Sequence, residues 1–336
     1  MATAFVQNQH DHPLFLVYAG DVDLVAARLA TAFGAERTAR LGDDAPLPHF
    51  GAAMGPVMGT HAEKRDEEYL VLARFRLPGA DCDELLVAVN HRFHDVASVG
   101  LLLRPEAPSW QARFVPEGAL KRPAGAPPDL ANPAKVTQLR LSKQRLADFR
   151  DREESPLSRN EAAFAAVASA VARCAASAAD RAPHRLMCLH SLRKARGATD
   201  TAGGDFSCFV QPLTVEPGEP FGPDSAAGEA RVREYFSKLR QGELVCHSLE
   251  GGDVPPTPDD EARENFWMFD TWVGSGACIV DCGAAWISTA TLVQLYASVC
   301  GDLALCVEGQ DGGIDVVLFT KREGVDIALS DSSWSI

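Results

Sequence analysis

The run Asn90-His91-Arg92-Phe93-His94-Asp95-Val96-Ala97-Ser98 holds the densest group of reactive side chains in the chain. An imidazole can accept a proton near neutrality because its ordinary pKa lies there. A carboxylate four residues later can brace a tight turn that carries that imidazole. Two chemical arrangements fit the spacing. In one, His91 acts as a base while Asp95 holds its loop. In the other, His91, His94 and Asp95 chelate a metal, which needs a further ligand that no spacing in the sequence marks. The bland alternative is a solvated surface loop.

The flanking sequence argues for rigid positioning. Residues 69–77 (YLVLARFRL) and 84–90 (ELLVAVN) read as two strands, separated by the turn-forming PGADCD. The second strand runs straight into His91, and residues 98–104 (SVGLLLR) resume a helical pattern. A strand-to-helix junction can hold a side chain firmly while the backbone turns toward a cleft. Before this hairpin, residues 21–33 are an amphipathic helix, and residues 40–65, rich in Gly, Pro and His, read as irregular.

Residues 122–134 (RPAGAPPDLANPA) are proline-rich, and proline is tolerated in neither a helix interior nor a central strand. This composition break divides the chain into an N-terminal domain, 1–121, a crossover linker, 122–134, and a C-terminal domain, 135–336. Beyond the linker the patterns predict a strand at 136–141, a polar helix at 142–152 and a buried helix at 161–180. Ser158 and Glu161 have capping-box spacing at the start of that buried helix. Strands at 185–192, 278–281 and 314–320 alternate with helices at 225–240 and 288–299, a mixed α/β pattern.

Composition narrows the function classes. The 336 residues carry 32 Lys and Arg against 46 Asp and Glu, a formal net charge of −14. Binding to phosphate backbones and to anionic membrane surfaces relies on clustered cations, so nucleic-acid and membrane partners are not expected. No apolar run approaches the ~20 residues of a bilayer crossing, and the first residues lack the basic start of a signal peptide. The nine cysteines include no CxxC pair and sit mostly in apolar surroundings, which fits reduced thiols in the cytoplasm. Cys278 and Cys282 have no His or second thiol pair beside them, so no metal is expected there.

Residues 70–104 (LVLARFRLPGADCDELLVAVNHRFHDVASVGLLLR) resemble the strand–turn–strand–HxxxD–helix segment of the BAHD acyltransferases. That family shares a superfamily with chloramphenicol acetyltransferase and the condensation domains of peptide synthetases. The resemblance continues in order. Residues 136–196 look like the start of the family's second domain and end in HSLRKAR, similar to its arginine-bearing strand. Thr271-Trp272 through Asp281-Cys282-Gly283 resembles the S/T-W segment leading into DFGWG, and residues 312–329 resemble the closing strand and helix.

The resemblance implies a two-domain, chloramphenicol acetyltransferase-like α/β sandwich with the active site at the domain interface. It implies an acyltransferase that moves an acyl group from acyl-CoA to a hydroxyl or amine of a small-molecule acceptor, with no bound cofactor and the chain a monomer. His91 would be the general base. Asp95 would point away from substrate and pair with Arg193, or with Arg196 in its place, while Asp281 and Gly283 would hold a turn behind the tunnel. Val96, Trp272 and Trp286 would be possible tunnel walls. Three departures bear on activity: Val96 stands where the family usually has a small residue, DFGWG has lost its Phe and Trp, with Trp286 two residues late, and the first domain is shortened before His91. These leave two other readings: a condensation-type enzyme fed by a carrier-protein thioester, and a non-catalytic relative that binds or assembles.

Overall fold

The computed structural model describes residues 12–106, 134–150, 157–178, 181–191, 207–221, 225–241, 243–244, 265–299 and 302–321. The chain divides into two units: Met1–Ala126 with Ser191–Ser207 and Gly274–Leu292, and Pro127–His190 with Cys208–Val273 and Val293–Ile336.

The first unit is built on a six-stranded sheet in the order β10-β11-β1-β4-β3-β2. Its strands are β1 (Pro13–Gly20), β2 (Thr38–Leu41), β3 (Leu70–Phe75), β4 (Glu84–Asn90), β10 (Ile279–Val280) and β11 (Ala285–Ile287). β1 and β4 sit inside the sheet and are almost wholly buried, so each reads as a continuous apolar run rather than an alternation. β1 falls on the short apolar run near the N-terminus, which carries no alternation to mark a strand.

Helix α1 (Val22–Phe33) starts where the Asp21 side chain accepts a hydrogen bond from Leu24 N at 3.0 Å and stops at Gly34, whose φ is 81°. It buries Val22, Val25, Ala26, Leu29 and Phe33, one helical stripe, against β1, β3 and β4. Helix α2 (Phe50–Glu63) replaces the irregular segment expected at 40–65. Its glycines and the interior Pro56 argue locally against a helix. Burial of Ala53, Val57 and His61, one turn apart each, outweighs that propensity as α2 packs on β3 and β4. Helix α3 (Val96–Leu102) follows β4 after a short turn.

The second unit has a seven-stranded sheet ordered β5-β13-β12-β9-β6-β7, with β8 also paired to β6. Its strands are β5 (Lys135–Leu141), β6 (His184–Ser191), β7 (Ser207–Phe209), β8 (Leu213–Val215), β9 (Phe266–Thr271), β12 (Leu303–Glu308) and β13 (Ile314–Thr320). Its helices are α4 (Lys143–Arg150), α5 (Arg159–Ser177) and α6 (Ala226–Gln241), and α7 (Thr289–Val299) begins in the first unit and ends in the second. The capping box is formed: Glu161 N donates to Ser158 Oγ, and Ser158 N donates to the Glu161 carboxylate. The α5 segment from Glu161 to Ala172 is buried, as its Ala-rich, nearly faceless sequence requires.

One boundary is corrected. The continuous domain 135–336 does not account for residues 274–292, whose β11 pairs antiparallel with β1 through Tyr18↔Ile287, Ala19↔Trp286 and Gly20↔Ala285. The physical reason is the open edge of β1, which needs a partner for its backbone groups. The linker residues 122–133 lie outside the described residues, as does the end of the segment resembling the closing helix. Among the described residues, no helix is long and apolar enough to cross a membrane.

Candidate active site

β4 delivers the reactive run to one end of the first sheet. Its register pairs Asn90 with Pro13 of β1 and Val89 with Leu70 of β3, so residues 12, 69 and 91 meet at that end. Asn90 is buried, and its Nδ2 donates to the carbonyls of Arg65 at 3.0 Å and Glu67 at 2.7 Å. Its Oδ1 accepts from Arg92 N at 3.1 Å, and its backbone oxygen accepts from Phe93 N and His94 N. Asn90 therefore uses both ends of its amide to fix the turn that carries His91.

Asp95 closes the turn by capping α3. Its Oδ1 accepts from Ser98 N at 2.7 Å and from Ser98 Oγ at 2.9 Å, while Asp95 N donates back to Ser98 Oγ at 3.2 Å. This reciprocal cap ties the carboxylate to the helix start. Val96 is the first residue of α3 and is half-buried. Arg193 and Arg196 lie outside the described residues, so the ion pair with Asp95 stays an expectation.

His91 is half-buried, and its ring meets that of His12 edge to face, with centroids 5.4 Å apart and planes at 86°. Burial lowers its pKa from 6.5 to about 3, and charge on His12 lowers it further, against an opposing pull from Asp95 and nearby backbone. The imidazole is thus the free base at neutral pH. His94 is fully buried, its ring 5.1 Å from that of Phe33. Among the described residues, no three His, Cys, Asp or Glu side chains converge as a metal site would need. Cys278 is buried and Cys282 exposed.

The Asp281 region belongs to this same unit. Asp281, Cys282 and Gly283 have successive φ values of 44°, 55° and 100°, a left-handed turn in which only Gly283 is unstrained. Arg28 of α1 grips both Asp281 carboxylate oxygens and also donates to the Leu103 carbonyl at the end of α3, at 2.6 Å. Asp281 thereby braces, through Arg28, the helix that Asp95 caps at its other end. Trp286 lies over Gly20, where a Cβ would come within 2.5 Å of the indole. Trp272 belongs to the second unit: it is buried, donates from Nε1 to Asp270 Oδ2 at 3.0 Å, and meets Tyr296 edge to face.

The first unit holds His91, Asp95, Val96, Asp281, Gly283 and Trp286, with His91 at the Pro13 end of β1 and Trp286 opposite Ala19 at the other end. Two residues of this assembly escape sequence reasoning. Arg28 looks like an ordinary helix position, and His12 stands in a stretch that reads chiefly as a poor signal peptide. The helical spacing of Arg28 toward the sheet carries no mark of its partner, which is 253 residues away.

No family model matches the chain, and no curated protein is similar to it in sequence. Similarity to solved structures is extensive. Vinorine synthase is 13% identical with a TM-score of 0.56, over 96% of this chain and 91% of that one. TRI101 of F. sporotrichioides, complexed with coenzyme A and T-2, is 14% identical with a TM-score of 0.51, over 98% and 95%. The epimerization domain from the third module of tyrocidine synthetase B is 12% identical with a TM-score of 0.53, over 96% and 90%. At these identities the likeness is one of fold, that of the two-domain, chloramphenicol acetyltransferase-like α/β sandwich.

Proposed function

We propose that the chain is an acyltransferase that moves an acyl group from acyl-CoA to a hydroxyl or amine of a small-molecule acceptor, with His91 as general base. The observation that carries this is the presentation of His91: an imidazole in its base form at neutral pH, at the end of a central strand and on a turn held by Asn90 and Asp95. The fold is shared with a protein solved in complex with coenzyme A, which supports the donor.

The chemistry needs no covalent enzyme intermediate. His91 takes the proton of the acceptor's hydroxyl or amine as its oxygen or nitrogen attacks the thioester carbonyl. The tetrahedral intermediate expels the CoA thiolate, and the imidazolium returns the proton to that sulfur. A base with so low a pKa is weak in the free protein. The negative charge that develops on the carbonyl oxygen stabilises the imidazolium beside it, so its basicity rises as the reaction proceeds. Asp95 adds to this from the helix cap, and Asp281 and Gly283 act at a distance by holding α3. The chain works as a monomer in the cytoplasm without a bound cofactor, and Val96, next to Asp95, shapes the substrate passage.

One observation favours a second reading. Val96 puts a half-buried, β-branched side chain at the first position after the cap, where the family usually has a small residue. A non-catalytic binding or assembly protein would tolerate that. The condensation-type alternative is less favoured, because Asn90, at the position preceding His91, is buried and engaged with the 65–67 backbone.

The test is CoA release from a panel of acyl-CoAs with alcohol and amine acceptors. His91→Ala should lose about 10²–10⁴-fold in kcat with the fold retained. His94→Ala, which empties a packed position, should lower thermal stability more than kcat. A folded wild-type protein that releases no CoA with any pairing, yet retains a protein partner, would replace the enzyme reading with the binding one.

A further inference from the structure

The end of the first sheet that carries His91 presents a second ionisable ring that this mechanism does not use. The β1–β4 register sets Pro13 opposite Asn90, so His12 falls beside His91. Its Nδ1 lies 3.0 Å from the Pro13 carbonyl, which can only accept; Nδ1 therefore carries the proton, and Nε2 has the lone pair when His12 is neutral. The rings meet edge to face at 5.4 Å. That geometry suits two neutral imidazoles and disfavours two cations.

The other ionisable groups near the pair are identifiable. Asp95 acts on His91 from the start of α3. His61 of α2, whose Nδ1 is 2.9 Å from the Tyr69 hydroxyl, feels the charges of both His12 and Arg92. Arg92 is paired with Asp66. His12 is the more exposed residue of the two; burial of its ring lowers its pKa, and the Pro13 carbonyl that accepts from Nδ1 favours its protonated form.

We infer that His12 is a positioning residue for His91: its ring sets the orientation of the imidazole, and by taking the first proton in acid it keeps His91 in the base form. This rests on the reading of His91 as general base. When both rings are neutral, the edge-to-face contact holds His91 in one orientation. As pH falls, a proton on His12 makes a second proton on His91 unfavourable, which adds to the larger effect of burial in keeping His91 the base in acid. The cation sits on His12, whose Nδ1 has the Pro13 carbonyl as acceptor.

The experiment follows the His91 ring itself, by NMR titration of the full chain carrying ¹³C-labelled histidine, with and without acyl-CoA turnover. His12→Phe keeps an aromatic edge and removes the charge; it should raise the His91 pKa by about one pH unit. The acid limb of the kcat/KM profile should move up with it. His12→Lys supplies a permanent charge and should leave the His91 pKa low. His12→Gln serves as the second uncharged variant if His12→Phe does not fold. A His91 titration that is the same in the wild type, the uncharged variants and His12→Lys overturns the inference. If the titration moves as expected while no variant transfers an acyl group, the His12–His91 coupling stands and the acyltransferase reading falls.

Discussion

His91 carries a stability cost that can be measured without any substrate. Its folded pKa lies well below the 6.5 of an exposed histidine, so between about pH 6.5 and about 3 the unfolded chain binds a proton there and the folded chain does not. Stability from this group is therefore complete above pH 6.5 and is lost as pH falls toward 3. The slope is bounded by one proton, roughly 1.4 kcal/mol per pH unit. His91→Gln should remove that contribution, so in urea unfolding at pH 7, 6 and 5 the variant should gain on the wild type at each step down. Parallel pH dependences would mean that His91 is protonated as readily folded as unfolded. His61 and His190 are lowered in the same direction by burial and remain in both proteins, so the comparison reports on residue 91 together with its coupling to His12.

Helix α3 shows how an element can be read in outline yet not in its contacts. The strand–turn–helix order and the bounds of β4 follow from apolar patterning around a turn-forming cluster, but that pattern places the helix only from residue 98 and leaves Asp95 as a brace of the loop, whereas Asp95 caps α3 at Val96. What anchors α3 is not visible in that pattern. A Cβ at Gly100 would fall 2.1 Å from the Ser275 carbonyl oxygen and 2.8 Å from Ala277 N, so the helix backbone rests directly on the 275–277 backbone. Backbone cannot yield as a flexible side chain does, and Gly100→Ala should cost about 1–3 kcal/mol through overpacking. Gly59, on the exposed face of α2, meets nothing within 4 Å, and Gly59→Ala should instead stabilise by roughly 0.5–1 kcal/mol through helix propensity. Opposite shifts in Tm are the check; equal losses would mean that α3 does not rest on that loop. Asp95→Ala should add a loss of ~0.5–2 kcal/mol at the other end of the same helix. Elements that obey their own propensities, such as β4 and α5, were readable from local sequence. α2 was not, because its Gly and Pro are overruled by three buried contacts, and β1 was not, because a doubly buried strand has no alternation.

The chain order of the two units explains why the proline-rich segment misleads as a simple boundary. The first unit is finished by residues that come some 150 positions after the point where it seems to end. β11 supplies the edge partner of β1, the Tyr18 hydroxyl donates to the Ala277 carbonyl at 2.9 Å in a buried setting, and Asp21 N donates to Ala284 O at 2.8 Å. Arg28 has its carboxylate partner at Asp281. A fragment of residues 1–133 would therefore expose the edge of β1, leave the Tyr18 hydroxyl without its acceptor and strand a partly buried guanidinium. A buried hydroxyl deprived of its partner costs ~1–3 kcal/mol, and that alone is a large share of the ~5–15 kcal/mol by which a domain is stable. The fragment should lack a cooperative thermal transition. The same fragment extended by a flexible Gly/Ser linker and residues 274–292 should regain one, because the missing strand pair, the Ala277 carbonyl and Asp281 return together. In that extended fragment Asp281→Ala should lower Tm, since Arg28 would keep only the Leu103 carbonyl. Cooperative unfolding of the unextended 1–133 fragment would show that the first unit does not need its late strands, and that the brace from Asp281 through Arg28 to α3 is dispensable for folding.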